Sequence, residues 1–251
     1  MQKFCTVLMT AILASLLLCS CAKKSVSYTP KELEGRGWAE IEKMARGTQV
    51  NFGMWAGEEQ RNRYIQGAFA KKIKERFDIS LNVVPNGDVA ELVNKLLNEK
   101  GAGKGSGGSI DMMWINGENF RAAKQGKLLW GPFASMIDSN RYFSEEARTR
   151  DFGTTTDGFE TPWMQAQFVF AYDSARVPSP PKSLQALGEW IKSHPGRFTY
   201  IAPPDFTGSV FIRHVFLNFA DNPADYVSGF DEAKYKKAAE PAIAFLNEIR
   251  P

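Results

Sequence analysis

Cysteine and histidine are scarce in this 251-residue sequence. It has three cysteines and two histidines, and Cys5 and Cys19 lie in an apolar N-terminal stretch that we predict to be a cleaved leader. Cys21 is then the one cysteine of the mature chain, which excludes an intramolecular disulfide and a cysteine-based metal site. Two histidines leave little for nucleophilic or metal-dependent catalysis.

Signatures of catalysis and of nucleic-acid binding are also missing from the sequence. It contains neither a G-x-S-x-G motif nor an H-E-x-x-H motif. The formal net charge is +3, and no run of lysine or arginine exceeds two residues, which argues against a nucleic-acid partner. We therefore expect a binding protein and not an enzyme, with no cofactor and no metal.

The N-terminus has the pattern of an export signal. Lys3 supplies a positive charge, and the apolar run Thr6–Leu18 is too short to span a bilayer. Leu18-Cys19-Ser20-Cys21 resembles the bacterial lipobox, in which the last cysteine is acylated after cleavage. We predict a signal peptide at residues 1–20, lipidation at Cys21, and a tether with a leading helix at 21–46. An ordinary signal peptide that happens to contain cysteine is the alternative.

Strand-to-helix turns dominate the first half of the mature chain. Hydrophobic patterns predict strands at Thr48–Trp55, Ile79–Val84 and Ile110–Ile115, each followed by a turn containing glycine or asparagine and then by a helix. In an open α/β sheet, ligands bind beyond the carboxyl ends of the parallel strands, where helix N-termini point. The pattern predicts an α/β fold with an open sheet and a binding crevice at these turns.

A glycine-rich stretch imitates a nucleotide-binding fingerprint. Gly103, Gly105 and Gly108 match G-x-G-x-x-G. That fingerprint acts between a strand and the helix that follows it, whereas here a predicted helix comes before it and a strand after it. We interpret Gly101–Gly108 as a flexible connection.

The second half repeats the strand-and-helix alternation more loosely. Apolar runs predict strands at Phe168–Tyr172 and Phe198–Ile201. A helix is predicted from Ser183, another after Ser209, and a helical stretch at Asp231–Ile249 that Pro241 interrupts.

Four segments carry a resemblance to a known family. They are NFGMWAG (51–57), DMMWINGENFRAAKQGKL (111–128), PWMQAQFVFAYDS (162–174) and TYIAPPDFTGS (199–209). In this order and spacing they resemble periplasmic solute-binding proteins of ABC importers, in particular the YnjB-like members. The resemblance implies a type II-like two-lobe fold with doubly wound sheets and hinge crossover strands. Lobe one would occupy 47–165, and the hinge with a partial lobe two would occupy 166–251.

The resemblance also implies a binding site and partners. The site would consist of Trp55, Ala56, Asn86, Asn116, Glu118 and Asn119 from lobe one, Trp163 and Gln165 at the hinge, and Phe206, Thr207, Gly208 and Ser209 from lobe two. The partners would be a small solute and an ABC permease in the membrane. The protein would be a monomer in the periplasm or at the outer face of the cell membrane.

The residues leave the solute open. A cationic or aromatic solute fits the rings of Trp55 and Trp163 and the carboxylate of Glu118. An oxyanion fits the backbone N–H groups of Thr207–Ser209 instead. Each of these residues has a structural alternative: an acid favours the first turn of a helix, and Ser209 can cap one. Ferric iron is least favoured because it calls for clustered tyrosines. Trp114 is expected to face the core, and His214 is expected to be a packed or surface histidine.

Two other functions stay open at this point, as does the extent of the chain. A secreted enzyme on the same two-lobe scaffold, like the relatives of porphobilinogen deaminase, would need a cofactor cysteine that the mature chain lacks. A lipid-anchored structural or assembly protein is the second alternative. Because family members continue beyond the predicted partial lobe two and return to lobe one, we expect a C-terminally truncated fragment; a reduced second lobe is the alternative.

Overall fold

The computed structural model describes residues 27–164, 166–203, 205–226 and 229–250. The predicted signal peptide and Cys21 therefore lie outside the described residues, as does Gln165. The chain divides into two compact units. The first comprises the described residues up to Ile115 together with Ala122–Gly131, and the second comprises Asn116–Arg121 and the residues from Pro132 onward. The first unit thus ends at Gly131, before the predicted lobe boundary at 165.

Helices and strands alternate through the first unit. In chain order it contains helices Pro30–Leu33 and Trp38–Ala45, strand β1 (Gln49–Trp55), a long helix made of Glu59–Tyr64, the π-helical turn Ile65–Phe69 and Ala70–Phe77, strand β2 (Ser80–Asn86), helix Val89–Gly101 and strand β3 (Met112–Met113). Helix Gly117–Gln125 begins in the second unit and ends in the first.

Helices are the main regular structure of the second unit. It contains 3-10 turns Ala134–Met136 and Asp138–Tyr142, helix Glu145–Thr149, an antiparallel ladder of Arg150–Asp151 with Thr154–Thr155, helices Leu184–Ser193 and Phe206–Asn218, the 3-10 turn Pro223–Tyr226 and helix Glu232–Glu248.

The sheet of the first unit is parallel, with strand order β2-β1-β3. Phe52 and Met54 point from β1 to one face, where they are buried with Ile65 of the long helix. Gly53 faces the other side, where a Cβ would lie 2.7 Å from the Leu92 side chain of helix Val89–Gly101. Helices therefore cover both faces of the sheet, and the predicted α/β class with a parallel sheet is confirmed.

Two strand boundaries differ from the prediction. Strand β2 continues through Pro85 to Asn86, so Asn86 ends the strand and does not lie in the turn after it. Strand β3 is shorter than predicted, because the carboxylate of Asp111 accepts the N–H of Asn51 at 2.8 Å. That N–H is therefore not available to extend the backbone hydrogen bonds between β1 and β3.

Aromatic side chains build the core of the second unit around Phe211, which is 1% exposed. Its ring centroid lies 4.4 Å from that of Tyr200 and 6.1 Å from that of Phe170. Gly188 lets two helices approach closely, since a Cβ there would lie 2.8 Å from the Phe245 ring. The core therefore depends on aromatic contacts that connect segments distant in sequence.

Three predictions for the second unit are wrong. The described residues within Phe168–Tyr172 and Phe198–Ile201 form no strand; their rings pack on Phe211 instead. Helix Phe206–Asn218 begins ahead of Ser209, because Asp205 caps it. Helix Glu232–Glu248 continues through Pro241; the buried Ala238, Ala242 and Phe245 hold both halves against the core, which offsets the hydrogen bond that proline removes.

Candidate binding site

Strands β1 and β2 end side by side and bring together the three predicted residues of the first unit. Trp55 and Asn86 are the last residues of their strands and are paired in register. The N–H of Ala56 donates to the carbonyl oxygen of Asn86 at 3.0 Å. The carboxyl edge of the sheet, where ligands bind in open α/β folds, is therefore formed by these residues.

The side chain of Asn86 is buried without satisfied hydrogen bonds. It is 8% exposed, and neither its amide nitrogen nor its amide oxygen has a hydrogen-bond partner among the described residues. A buried amide in this state raises the free energy of the folded protein by roughly 1–3 kcal/mol. A buried polar group without partners in a native protein needs an explanation. One explanation is a bound molecule that supplies the missing hydrogen bonds.

The indole rings beside this edge already hold a cation from the protein. The guanidinium of Arg61 lies 5.6 Å from the ring centroid of Trp55 and 5.1 Å from that of Trp114. Trp114 also packs against the core of the sheet, as predicted. Gly57 is required here, because a Cβ would lie 2.0 Å from the Trp55 ring.

Arg61 was not identified from the sequence. It lies in the first turn of the long helix, within the charged and polar run EEQRNR, in which no single residue stands out as a site residue. The carboxylate of Glu58 caps that helix by accepting the backbone N–H of Arg61, and it lies 3.6 Å from the guanidinium. This one-turn spacing of an acid and an arginine is a weak signal, because ion pairs of this kind are common on helices.

In the second unit, Gly117 begins a helix, with Asn116 immediately before it and Glu118 and Asn119 in its first turn. Gly117 has a φ of +58°, which favours glycine. Its N–H donates to the carboxylate of Asp151. Burial raises the pKa of the Asp151 carboxyl above its ordinary value, although this hydrogen bond acts in the opposite direction.

Glu118 pairs with an arginine that the sequence did not reveal. The guanidinium of Arg213 lies 3.7 Å from the Glu118 carboxylate and 4.9 Å from the Phe152 ring centroid. The Phe152 and Phe206 rings meet edge to face at 5.6 Å. Phe152 has a φ of +43°, which is strained for a bulky residue. Charge and aromatic surface are therefore combined here, through contacts between distant segments.

The predicted anion cradle at Thr207–Ser209 lies inside the first turn of a helix. The carboxylate of Asp205 accepts the N–H groups of Thr207 at 2.8 Å and of Gly208 at 3.2 Å. The N–H of Ser209 donates to the Asp205 carbonyl oxygen at 2.9 Å. A Cβ at Gly208 would lie 2.0 Å from the carbonyl oxygen of Ile201. An anion would have to displace Asp205 to use these donors.

Trp163, His194 and His214 are the remaining polar and aromatic candidates. Trp163 is half exposed. His194 ends helix Leu184–Ser193 and stacks on Trp190, and the His214 ring lies 5.2 Å from that of Phe168. Both histidines line a cavity of about 1270 Å³ in the second unit, which shares no residue with the predicted site.

Two features are absent from the described part of the chain. It holds no group of three or more His, Cys, Asp or Glu side chains placed to bind a metal ion. None of its helices is both long and apolar enough to cross a membrane.

Comparison with known proteins finds a matching family and a relative of this chain. The sequence model of a family described as bacterial extracellular solute-binding protein matches residues 68–250. Protein YnjB of Escherichia coli (strain K12) is 35% identical over 215 residues, which are 85% of this chain and 55% of that protein. The chain thus spans about half the length of this curated relative.

Proposed function

The chain belongs to the family of bacterial extracellular solute-binding proteins, and from this premise we propose that it is the substrate-binding component of an ABC-type importer. It captures a small solute outside the cytoplasm and delivers it to a membrane permease. Its role is to bind the solute without changing it chemically.

The unsatisfied amide of Asn86 carries this proposal. It lies at the carboxyl edge of a parallel sheet, beside Trp55, whose side chain is 39% exposed. An amide there can both donate to and accept from a polar solute. Hydrogen bonds from a solute to this amide would replace none within the described protein.

Specificity in this proposal comes from the closing of two lobes around the solute. A solute shifts such an equilibrium only by the difference between its contacts in the closed and open states. Trp55, Ala56 and Asn86 contribute from lobe one, and Trp163 and Gln165 from the hinge. Lobe two contributes through Phe206, whose ring is 40% exposed, and through Thr207 and Ser209.

The predicted leader gives the location. Export by the signal peptide at 1–20 and acylation of Cys21 would hold the protein in the periplasm or at the outer face of the cell membrane, near its permease. A single acyl chain binds membranes only marginally, so stable anchoring uses more than one.

Thermal unfolding of the purified full chain against a solute panel tests the proposal. The panel holds thiamine derivatives, polyamines, oxyanions, sugars and ferric chelates, so it covers cationic, aromatic and anionic solutes. A solute that binds only the folded protein stabilises it by about 2.7 kcal/mol at a hundredfold excess over its Kd. A saturable rise in the unfolding midpoint with one class supports the proposal, and no rise with any class contradicts it.

A tryptophan pair provides the matched control. Trp55→Ala is expected to weaken binding of the identified solute without unfolding the protein. Trp38→Ala should leave binding unchanged, because Trp38 is exposed on helix Trp38–Ala45 and donates to Glu42 at 3.0 Å. Equal affinity in wild type and Trp55→Ala would remove Trp55 from the site.

A further inference from the structure

The features that suggested a cationic solute already face cations of the protein. Arg61 lies against the rings of Trp55 and Trp114, and Arg213 lies 3.7 Å from the Glu118 carboxylate. A cationic solute at either position would meet a like charge, which disfavours binding at short range. The guanidinium of Arg61, which Glu58 approaches at 3.6 Å, therefore disfavours a positive partner at the sheet edge of the first unit.

The guanidinium of Arg61 has hydrogen-bonding capacity to spare. Its side chain is 29% exposed, and it makes no side-chain hydrogen bond to a described residue. Glu58 forms an ion pair with the guanidinium at 3.6 Å, beyond hydrogen-bond range, and both of its carboxylate oxygens accept the backbone N–H of Arg61 at 3.1 Å. A guanidinium has five N–H donors in a planar fork that matches a carboxylate or another oxyanion.

The two indole rings hold this fork in place before any solute arrives. Stacking on Trp55 and Trp114 restricts the rotamers of a side chain that is otherwise flexible, so less entropy is lost when it binds. Trp55 is also the register partner of Asn86. The stacked arginine and the unsatisfied buried amide are thus two independent features of one sheet edge.

We propose that Arg61 is a solute-binding residue and that the transported solute carries an oxyanion group, namely a carboxylate, sulfate or phosphate. This inference rests on the proposed importer function and narrows its solute class. In it, the Trp55 and Trp114 rings position the arginine and do not stack on the solute.

Titration of the full chain with sodium sulfate, phosphate and citrate tests the inference, with chloride at matched ionic strength as the reference. Binding is followed by indole fluorescence and by the unfolding midpoint. Sulfate and phosphate stabilise many proteins non-specifically at high concentration, so the relevant response is one that saturates. Arg61→Gln is expected to weaken the saturable response to the best of the three anions by about 10- to 100-fold.

Two further variants make the result specific. Arg63→Gln removes an equal charge two residues along the helix, from a side chain that is 72% exposed and paired with Glu59 at 3.4 Å, and it should retain wild-type affinity. Arg61→Lys keeps the charge without the planar fork, and its affinity should lie between those of wild type and Arg61→Gln.

Failure of the inference and failure of the importer function give different results. Saturable binding of a cationic or neutral solute that depends on Trp55 but not on Arg61 would overturn the oxyanion inference and leave the importer function intact. A saturable anion response that Arg61→Gln leaves unchanged would also overturn it. If no solute of any class binds, both fall.

Discussion

Asn86→Leu separates the stability of the sheet edge from its binding function. Leucine is close to asparagine in shape and carries no polar atoms, so the change removes both unsatisfied atoms of a side chain that is 8% exposed. We expect the variant to be more stable than the wild type in the absence of solute and to bind solute poorly.

The size of the effect follows from the burial of the amide. Removing a buried amide that lacks partners should raise the free energy of unfolding by roughly 1–3 kcal/mol. In a chain of this length, each kcal/mol shifts the unfolding midpoint by about 2–4 °C. A rise of this kind, together with lost binding, is the trade-off expected where a residue serves function at the expense of stability.

Urea and thermal unfolding of solute-free protein provide the measurement, with Asn82→Leu as the matched control. Asn82 lies on the same strand, but it is exposed and donates to the side chain of Asn51 at 2.9 Å. Its replacement should lower stability slightly or leave it unchanged. An Asn86→Leu midpoint at or below that of wild type would refute the reasoning, since it would mean that solvent already satisfies the amide.

Two further predictions concern the second unit. Gly208→Ala should lower the free energy of unfolding by about 1–3 kcal/mol in a urea titration, because the new Cβ would meet the backbone of Ile201. The control Gly67→Ala should not lower it, because a Cβ there meets nothing within 4 Å. Equal effects of the two variants would contradict the prediction. Burial raises the pKa of the Asp151 carboxyl, so the folded state holds its proton more tightly than the unfolded state does. The contribution of Asp151 to stability therefore falls as pH rises from the ordinary pKa of 3.8 through the raised value. Asp151→Asn should therefore gain stability relative to wild type across that window in chemical unfolding, and a difference independent of pH would refute this.

The first unit could be predicted well because its signals are local. Alternation within β1 and the apolar stripe that begins at Ile65 are patterns of neighbouring residues, and they position the strands and helices. The adjacency of Trp55 and Asn86 followed from a general rule, since parallel strands present their carboxyl ends at one edge. What the pattern could not show was that Asn86 is buried without partners, which depends on the packing of the whole edge.

The second unit was harder to predict because its structure depends on distant partners. Phe168–Tyr172 and Phe198–Ile201 have the composition of strands, but a strand also needs a neighbour to complete its hydrogen bonds. Here the aromatic side chains gain more by packing on Phe211. The contacts of Arg213 with Glu118 and Phe152 likewise join segments far apart in sequence, for which no local pattern exists.

Helix N-termini explain why a side chain, and not the backbone, should bind the solute oxyanion. In four of the described helices, a carboxylate accepts a backbone N–H of the first turn; the acids are Glu58, Asp88, Asp151 and Asp205. The positive ends of these helices are therefore already neutralised by the chain itself. An incoming oxyanion would have to displace a hydrogen-bonded carboxylate at each, whereas the side-chain N–H groups of Arg61 make no hydrogen bond to a described residue and face Glu58 only as an ion pair at 3.6 Å. The arginine is thus the stronger attraction at the sheet edge.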